Sequence, residues 1–463
     1  MYVMVVTIGK RKHIKVDRIA TVLPIVPPIR GSSVLSPQTV NRVERIWIKP
    51  NDNISNLCHI SKNLYNKANY LVRHNLFETG KWMRYIKLYD ELNRDINYWS
   101  LPSQSSQQTL KQLDKNWNSY FKSHKEWKQH PEKFLGEPRL PHYLDKDGEY
   151  IIKFTNQEVR IKDGYIKFPK FSGKIIIDLD IKTTLPDKTD LQEVRIIPKG
   201  VGYIMEIVYG KSVPKIKKGK PKRIIGIDIG STNLVTICNN IGIKPIVVKA
   251  GIVKSINQYY NRELARLDSI YAKQKIGWGV AGQRLTNKRY RKIMDSFHKT
   301  SRLIINWAVA HDIDTIVIGH NEEWKQRVNL GKQTNQNFVS IPFNTLIELI
   351  EYKGEDVGIR VIRQEESHTS KCSFLDNESI KHHDKYVGKR ISRGLFRTKN
   401  RIIINSDVNG AYNIIKKAIP KAFHTRDGIE DVALHPEVLS YGKISNKIVN
   451  NSFDNISIIM YSG

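Results

Sequence analysis

Residues 223–233, Arg-Ile-Ile-Gly-Ile-Asp-Ile-Gly-Ser-Thr-Asn, place one carboxylate inside a strongly apolar run. The four isoleucines of this run predict a buried strand, because β-branched residues dominate it and turn-forming residues follow at once. Burying an acid in such a strand is costly unless a cation meets it. Asp228 therefore has two readings: it caps the turn at residues 230–232, or it is a metal-binding carboxylate on the first strand of a sheet.

The charge of the chain narrows the classes of function. Its 463 residues, enough for two or three domains, include 76 Lys and Arg against 45 Asp and Glu, a formal net charge of +31. Basic residues occur along the whole length, as expected for a protein that lies along phosphate backbones. No apolar run reaches the roughly 18 residues that a membrane span needs, which argues against a membrane partner.

Three cysteines, Cys58, Cys238 and Cys372, stand at no disulfide or metal spacing, which fits a reducing compartment. We expect an intracellular protein, nuclear if its source is eukaryotic or viral and cytoplasmic otherwise. The first 41 residues are interpreted as a basic extension, since no cleavage site clearly follows their short apolar start.

Periodicity organises the first half of the chain. Residues 42–55 predict the first strand of a small β-barrel, residues 56–140 predict an inserted helical region, and residues 141–210 supply the remaining strands. In the helix predicted over residues 103–122, one face is apolar. Its other face holds Gln104, Gln107, Gln108, Lys111, Lys115 and Asn118, which are either solvated or in contact with nucleic acid.

A stretch rich in Lys, Pro and Gly, residues 211–222, predicts a linker. After it the patterns predict three strands (223–229, 234–238 and 245–249), two helices (252–275 and 286–311), a strand (315–318), a helix (343–357), a strand (359–363) and a last helix (405–418). This is the element order of an RNase H-like domain, so the fold class is α/β plus α+β. The second helix of the pair suggests phosphate contact through Lys288, Arg289, Arg291, Lys292, His298, Lys299 and Arg302.

Asp407 stands at the start of the last predicted helix, which ends before Pro420. Taken alone, it is an N-cap that complements the helix dipole. Together with Asp228 it has a second reading. Nucleases of this architecture hold two metal ions about 3.5–4 Å apart between acidic groups on adjoining elements. Mg²⁺ prefers oxygen ligands of this kind.

Three blocks, residues 367–378, 388–396 and 405–413, resemble the carboxyl-terminal part of the TnpB family of transposon-associated, RNA-guided RuvC-type nucleases, which includes the Fanzor proteins. Residues 226–233 are similar to the first RuvC motif of that family. Residues 101–110 and 136–141 resemble its recognition region. The resemblance covers residues 42–420.

The resemblance implies a wedge β-barrel around a helical recognition region, followed by a RuvC-like nuclease domain built from residues 223–366 and 405–420. It implies an omega-type guide RNA, double-stranded target DNA, two Mg²⁺ ions and a monomeric ribonucleoprotein. Lys371 and Arg393, which lie in the matching blocks, are expected to contact nucleic acid. Residues 421–463 are expected to form a tail.

One departure from the family concerns the acidic set. The family has an acid after the fourth strand, where this chain has Gly319. Some relatives carry a relocated glutamate before the Thr-Ser-Lys sequence, and Glu366 stands three residues before Thr369, with Glu365 beside it. We therefore expect Asp228, Glu366 and Asp407 to be the catalytic metal ligands. Glu322 and Glu323 are alternatives for the relocated ligand, and a surface acidic pair beside an inactive site is another.

A second departure lies in residues 367–404, where the family often has a zinc ribbon with four cysteines. Only Cys372 stands here, and His382 and His383 are interpreted as surface histidines, because a structural zinc site needs four good donors. We expect no structural zinc.

The function predicted from these features is RNA-guided DNA cleavage by metal-dependent phosphodiester hydrolysis. A guided DNA-binding protein that represses without cutting would have the same basic surface, and a transposase accessory protein is a further alternative. An ATPase of the sugar-kinase class shares the Asp-x-Gly-Ser-Thr sequence, but no Gly-rich adenosine segment follows it, and a charge of +31 suits that class poorly.

Overall fold

A computed structural model describes residues 37–171, 174–216, 219–320, 341–423 and 429–444. Thr39–Lys211 forms one compact unit, and the described residues from Ser212 onward form a second. Most of the predicted extension (residues 1–36), most of the predicted tail, and the alternative ligands Glu322 and Glu323 lie outside the described residues. No helix in the described part of the chain is long and apolar enough to cross a membrane.

Helices in the first unit follow the predicted apolar period. They are α1 (Asp52–Thr79), α2 (Tyr85–Leu92), α3 (Ile96–Trp99) and α4 (Ser103–Gln129). The side chain of Asn51 accepts the N–H of Ile54 to start α1, and Gly80 ends that helix at φ +69, a conformation that favours glycine. The indole N–H of Trp117, which is fully buried on α4, donates to Asn69 on α1 at 3.0 Å.

Strands of the first unit surround these helices in sequence. They are β1 (Gln38–Ile48), β2 (Ile152–Thr155), β3 (Arg160–Lys162), β4 (Tyr165–Lys167), β5 (Lys170–Phe171), β6 (Lys174–Ile175), β7 (Ile181–Lys182), β8 (Asp190–Pro198) and β9 (Tyr203–Val213). The described strands pair as an open sheet in the order β1-β9-β8-β2 with sheets of three and two strands beside it, not as one closed ring of hydrogen bonds. Side chains from the four-stranded and three-stranded sheets enter the same apolar core as α1 and α4.

Two predicted boundaries move. The first strand begins at Gln38, inside the predicted extension, and β9 continues to Val213, inside the predicted linker. Apolar alternation in both places is too weak to show this, because the first residues of β1 are at most partly buried and only Val213 is buried among the last four residues of β9.

The second unit is built on strands β10 (Ile224–Ile229), β11 (Asn233–Asn239), β12 (Ile246–Lys249), β13 (Thr315–Gly319) and β14 (Arg360–Gln364). β11 lies antiparallel between β10 and β12, whereas β13 pairs parallel with β10 and β14 pairs parallel with β13. The sheet order β14-β13-β10-β11-β12 is that of an RNase H-like domain, so the predicted fold class is confirmed.

Helices cover both faces of this sheet. They are α5 (Gly251–Gln274), α6 (Val280–Ala310), α7 (Phe343–Glu355) and α8 (Ser406–Ala418). Ile225 and Ile227 point to the face that α5, α6 and α7 cover, whereas Ile224 and Val317 point to the face that α8 covers. Alternation along β10 places Asp228 on the α8 face.

Residues after α8 extend the sheet, contrary to the predicted tail. A helix, α9 (Ile429–Leu434), leads into β18 (Glu437–Leu439), which pairs parallel with β12 as the sixth strand. Between β14 and α8 the chain forms a separate three-stranded sheet of β15 (Lys389–Ser392), β16 (Leu395–Arg397) and β17 (Ile403–Asn405).

Candidate active site

β10 and α8 approach each other closely at two glycines. A Cβ added at Gly226 would lie 2.5 Å from the carbonyl oxygen of Ala411, and one added at Gly410 would lie 2.8 Å from Oδ2 of Asp228. Both positions therefore exclude a side chain, and the absence of one lets the Asp228 carboxylate lie directly beneath α8. Among the described residues no hydrogen bond reaches this carboxylate, so its reading as a turn cap is not supported.

Asp407 lies in the first turn of α8, but it does not cap the helix. The side-chain oxygen of Asn405 accepts the N–H groups of Asp407 (2.9 Å) and Val408 (3.2 Å) and fills that role. The Asp407 carboxylate instead accepts hydrogen bonds from Asn233 Nδ2 at 2.7 Å and Ser406 Oγ at 3.2 Å. Its side chain stays 25% exposed, which leaves oxygen lone pairs available for a ligand.

Glu366 follows β14 and reaches across to the neighbouring strand. Gly319 pairs with Gln364 in the sheet, and a Cβ added at Gly319 would lie 2.5 Å from Oε2 of Glu366. The Glu366 carboxylate thus occupies the volume next to Gly319, the position where the family resemblance leads us to expect an acid. The Thr369 N–H and hydroxyl both donate to the backbone carbonyl of Glu366 and fix the turn that follows it.

Glu365, the neighbouring candidate, faces a different partner. Its carboxylate accepts Lys417 Nζ at 2.6 Å together with the N–H and hydroxyl of Ser367. Partial burial raises the pKa of Glu365, but the hydrogen bonds from Lys417 and Ser367 together with the Lys417 charge outweigh it, so the pKa lies below its usual value. Between the two glutamates, Glu366 is the one that shares a site with the aspartates.

The three carboxylates lie close enough for their charges to interact. Burial raises the pKa of Asp228 well above its usual range, the charges of Asp407 and Glu366 raise it further, and Arg390 alone lowers it. The structure therefore brings Asp228, Glu366 and Asp407 together from β10, the end of β14 and the start of α8. Three acids facing one arginine form a site with an excess of negative charge.

This donor set fits a hard divalent cation. Within the described residues no group of three or more His, Cys, Asp or Glu side chains is positioned to hold a metal ion. Ligation by these acids would therefore use side-chain rotation or intervening water, and Mg²⁺ commonly keeps several waters while binding one or two carboxylates. Burial is the main cause of the raised pKa of Asp228, and the further rise caused by the charges of Asp407 and Glu366 is the observation that favours a cation here.

Arg390, a basic residue that the sequence reasoning missed, lines the site. Arg390 Nη2 donates to Ser406 Oγ at 3.0 Å and lies 3.9 Å from Oδ1 of Asp407. An open cleft beside it is lined by Thr232, Arg390, Ile391, Ser392 and Arg393. Arg393, predicted to contact nucleic acid, is exposed and donates to the Thr232 hydroxyl at 3.0 Å. Arg390 stands in the same family-like block as Arg393, which is the signal that could have identified it.

The predicted nucleic-acid residues of α4 lie on an accessible face. Gln104 donates to Gln157 at 3.0 Å, the Lys111 ammonium lies 5.1 Å from the centre of the Tyr85 ring, and Lys115 is exposed. Gln108 is partly buried on the same helix. Binding of nucleic acid by these residues stays a prediction.

The predicted basic set on α6 divides into two groups. Lys288 and Lys292 are exposed, and Arg291 and His298 are partly buried. Arg302 is only 8% exposed, so the predicted phosphate contact by this residue is wrong. Arg289 donates to Asn257 at 2.7 Å and lies over the Tyr260 ring, and Lys299 donates to Asp295 and Tyr441. Helical spacing does not distinguish these inward side chains from the outward ones.

Residues 369–399 are organised by carboxylates and amides. The Glu378 carboxylate, 6% exposed, accepts the N–H groups of Ser373 (2.7 Å) and Val387 (2.9 Å). Asp376 accepts the Ser373 hydroxyl and the N–H of Lys399. Lys371, another predicted nucleic-acid contact, is exposed, with its ammonium 5.9 Å from the centre of the Tyr386 ring.

Two asparagines of α8 tie this segment to the site. Asn409 accepts the N–H of Phe374 and donates to the carbonyl of Cys372, and Asn413 donates to the carbonyls of Thr369 and Cys372. Both amides are fully buried. The segment that follows Glu366 is thereby fixed to the helix that carries Asp407.

The sheet order is that of an RNase H-like domain, and acids from the first strand, the end of the fifth strand and the last helix come together on it. Two family models match parts of the chain. The OrfB_IS605 family, described as a probable transposase, matches residues 206–325, and the Cas12f1-like TNB domain matches residues 343–414.

A TnpB-like protein, ORF457 of Acidianus two-tailed virus, is 24% identical over 410 residues, which cover 78% of this chain and 82% of that protein. The resemblance to TnpB proteins is therefore confirmed, and the features specific to Fanzor proteins stay predictions. Among solved structures, the Cas12f1–sgRNA–target DNA complex is 14% identical over 80% of this chain and 83% of that one, with a TM-score of 0.46. The mini-RNA-guided endonuclease CRISPR-Cas_phi3 is 10% identical over 84% and 93%, with a TM-score of 0.42.

Proposed function

We propose that this chain is an RNA-guided DNA endonuclease that hydrolyses target DNA at the RuvC-like site. The observation that carries the proposal is the placement of Asp407 and Glu366 beside Asp228, whose pKa is raised by burial and, in addition, by the charges of those two acids. Similarity to TnpB proteins and the net charge of +31 support an omega-type guide RNA and double-stranded DNA as partners of a monomeric ribonucleoprotein. In such a protein, pairing with the guide reads the target sequence and the protein reads backbone shape and a short flanking motif.

Asp228, Glu366 and Asp407 would hold two Mg²⁺ ions, which when bound supply an activated water and stabilise the leaving oxygen. Asn233 and Ser406 orient the Asp407 carboxylate through hydrogen bonds. Arg390, at the same site, would offset charge on the scissile phosphate, and the exposed Arg393 would hold a neighbouring phosphate. Hydrolysis would leave 5′-phosphate and 3′-hydroxyl ends.

Cleavage of a plasmid by the purified ribonucleoprotein in Mg²⁺ tests the proposal. We expect Asp228→Ala and Glu366→Ala to reduce cleavage at least about a hundredfold, the loss seen when a group that stabilises the transition state is removed. Binding of RNA and DNA should change little, because neither acid attracts phosphate.

Glu365→Ala is the matched control, because its acid is adjacent in sequence but pairs with Lys417. It should retain most of the activity. If all three variants cut as well as the wild type, these acids are not the nuclease site. If the wild type binds guide and target without cutting, the chain is a guided DNA-binding protein that represses.

A further inference from the structure

α5 and α6 form an antiparallel hairpin whose connection, residues 275–279, lies at its tip. The stretch from residue 269 to residue 294 contains no Asp or Glu. It contains seven cations: Lys273, Lys275, Arg284, Lys288, Arg289, Arg291 and Lys292. A block of one charge sign this long favours a polyanionic partner.

Most of this charge faces outward. Five of the seven cations are exposed: Lys273, Lys275, Arg284, Lys288 and Lys292. Arg289, in contrast, is held by Asn257 and Tyr260 inside the hairpin. The surface field of the hairpin therefore comes from side chains that a partner can reach.

Large apolar side chains lie exposed within this cationic field. Ile276 and Trp278 are each 49% exposed, and Val280 is 52% exposed. An exposed apolar patch surrounded by charged residues is typical of a binding surface and not of a face that only contacts water.

One face of the Trp278 ring packs against the first turn of α6. A Cβ added at Gly282 would lie 3.0 Å from the six-membered ring of Trp278, so the indole packs against bare backbone. The Gly282 N–H donates to the Tyr271 hydroxyl at 2.9 Å and fixes that turn of α6. The ring is therefore supported on one side while half of its surface stays available.

Aromatic rings and cations also meet farther along the hairpin. Tyr259 is 44% exposed, and the charged groups of Arg262 and Lys288 lie 5.6 and 5.9 Å from the centre of its ring. Rings on which bases stack, flanked by cations that bind phosphates, are the chemistry of single-stranded nucleic-acid binding.

We propose that the tip of the α5–α6 hairpin contacts an unpaired stretch of nucleic acid, with a base stacked on Trp278 and flanking phosphates bound by the exposed lysines and arginines. This inference rests on the proposed function, since it assigns a surface to the guide RNA or to a displaced DNA strand. An indole accepts any base, so the contact is independent of sequence.

The test uses the full chain without divalent cations and a short fluorescein-labelled single strand, as RNA and as DNA of one sequence. Stacking on an aromatic ring contributes about 1–3 kcal/mol per base, so Trp278→Ala should weaken binding about tenfold. Its slope of log affinity against log salt should stay unchanged, because no charge is lost. Lys275→Gln should instead lower that slope by roughly 0.7.

Matched variants separate stacking from packing. Trp278→Phe keeps a ring and should restore most of the affinity, whereas Ile276→Ala, equally exposed, should leave it unchanged. Ultraviolet crosslinking with peptide mapping should place a nucleotide adduct at the hairpin tip of the wild type and remove it in Trp278→Ala. Stronger loss with RNA than with DNA would assign the surface to the guide, and the reverse to a displaced strand.

Unchanged affinity of Trp278→Ala, with no adduct at the tip, overturns the inference while leaving the nuclease proposal intact. Failure of the wild type to bind either single strand also overturns the inference, whereas plasmid cleavage by the ribonucleoprotein decides the nuclease proposal separately. A Trp278→Ala variant that does not fold leaves Trp278→Phe and the crosslink of the wild type to decide.

Discussion

Asp228 is surrounded by groups that oppose its ionisation. Burial comes first, and the charges of Asp407 and Glu366 add to it, so the folded protein has a raised pKa at this carboxyl while the unfolded chain has an ordinary one. Such a group contributes most to stability at low pH, and that contribution is lost as the pH rises through the folded-state pKa. A bound cation would reverse this cost.

At neutral pH and without divalent cations, we expect Asp228→Asn to melt at a higher temperature than the wild type. Each pKa unit corresponds to about 1.4 kcal/mol, and for a unit of this size 1 kcal/mol raises Tm by roughly 2–4 °C. Thermal melts at pH 4 should show a smaller difference, because the wild-type acid is then closer to neutral.

Addition of Mg²⁺ should stabilise the wild type more than Asp228→Asn, because a ligand that binds only the folded state raises its stability. Equal responses of the two proteins to Mg²⁺ would contradict a metal role for this acid. This measurement does not depend on cleavage.

Among the site residues, the sequence blocks allowed the acids to be predicted, but not the contacts that the residues of those blocks make in the fold. Asp228 and Asp407 stand in such blocks. The helix cap at Asn405, which frees the Asp407 carboxylate, and the placement of Arg390 beside it depend on how β17 and the β15–β16 hairpin meet α8. Burial of Arg302 depends likewise on tertiary packing.

The segment between β14 and α8 shows how an element can be organised by acids. Glu378 and Asp376 together accept four hydrogen bonds from backbone N–H groups and a hydroxyl, and Asn409 and Asn413 attach the segment to α8. The absence of a structural zinc stays a prediction, and these contacts give it a physical basis.

Glu378→Ala should lower the free energy of unfolding of the second unit by about 1–3 kcal/mol, the cost of leaving buried donors unsatisfied. Thermal melts measure this change, and Glu430→Ala, an exposed acid on α9, is the control that should melt like the wild type. Treatment with a zinc chelator should leave the wild-type Tm unchanged. A chelator-induced fall of several degrees would show that the segment holds a metal.

Most helices and strands could be predicted because their apolar residues follow a clear helical or alternating period, whereas short elements could not be predicted in this way. The helix over residues 252–275 is observed as Gly251–Gln274, and that over residues 405–418 as Ser406–Ala418. β18 could not be found in the same way, because its three residues include one buried side chain, Leu439, and its pairing with β12 is a long-range contact.

Charge is the property of the whole molecule that no single element explains. The +31 belongs to both units, and exposed cations occur on α4 in the first and on α6 in the second. Composition alone predicted a polyanionic partner, whereas the face of each helix that meets it depends on burial.

Binding of duplex DNA should therefore weaken steeply with salt, with a slope in log–log form of about −0.9 for each phosphate neutralised. Lys115→Gln should reduce that slope by about one. Lys67→Gln is the control, since its ammonium already pairs with Asp95. Equal slopes for wild type and Lys115→Gln, measured by filter binding, would remove this face of α4 from the interface.

The pair of Gly319 and Glu366 affects how proteins of this kind are classified as active or inactive. A sequence alignment would find a glycine in place of the acid on the fourth strand and would classify the protein as inactive. However, a carboxylate carried by a neighbouring strand can occupy the same place in three dimensions. Active and inactive nucleases are better distinguished by which carboxylate oxygens lie close together in the structure than by which residues are aligned in the sequence.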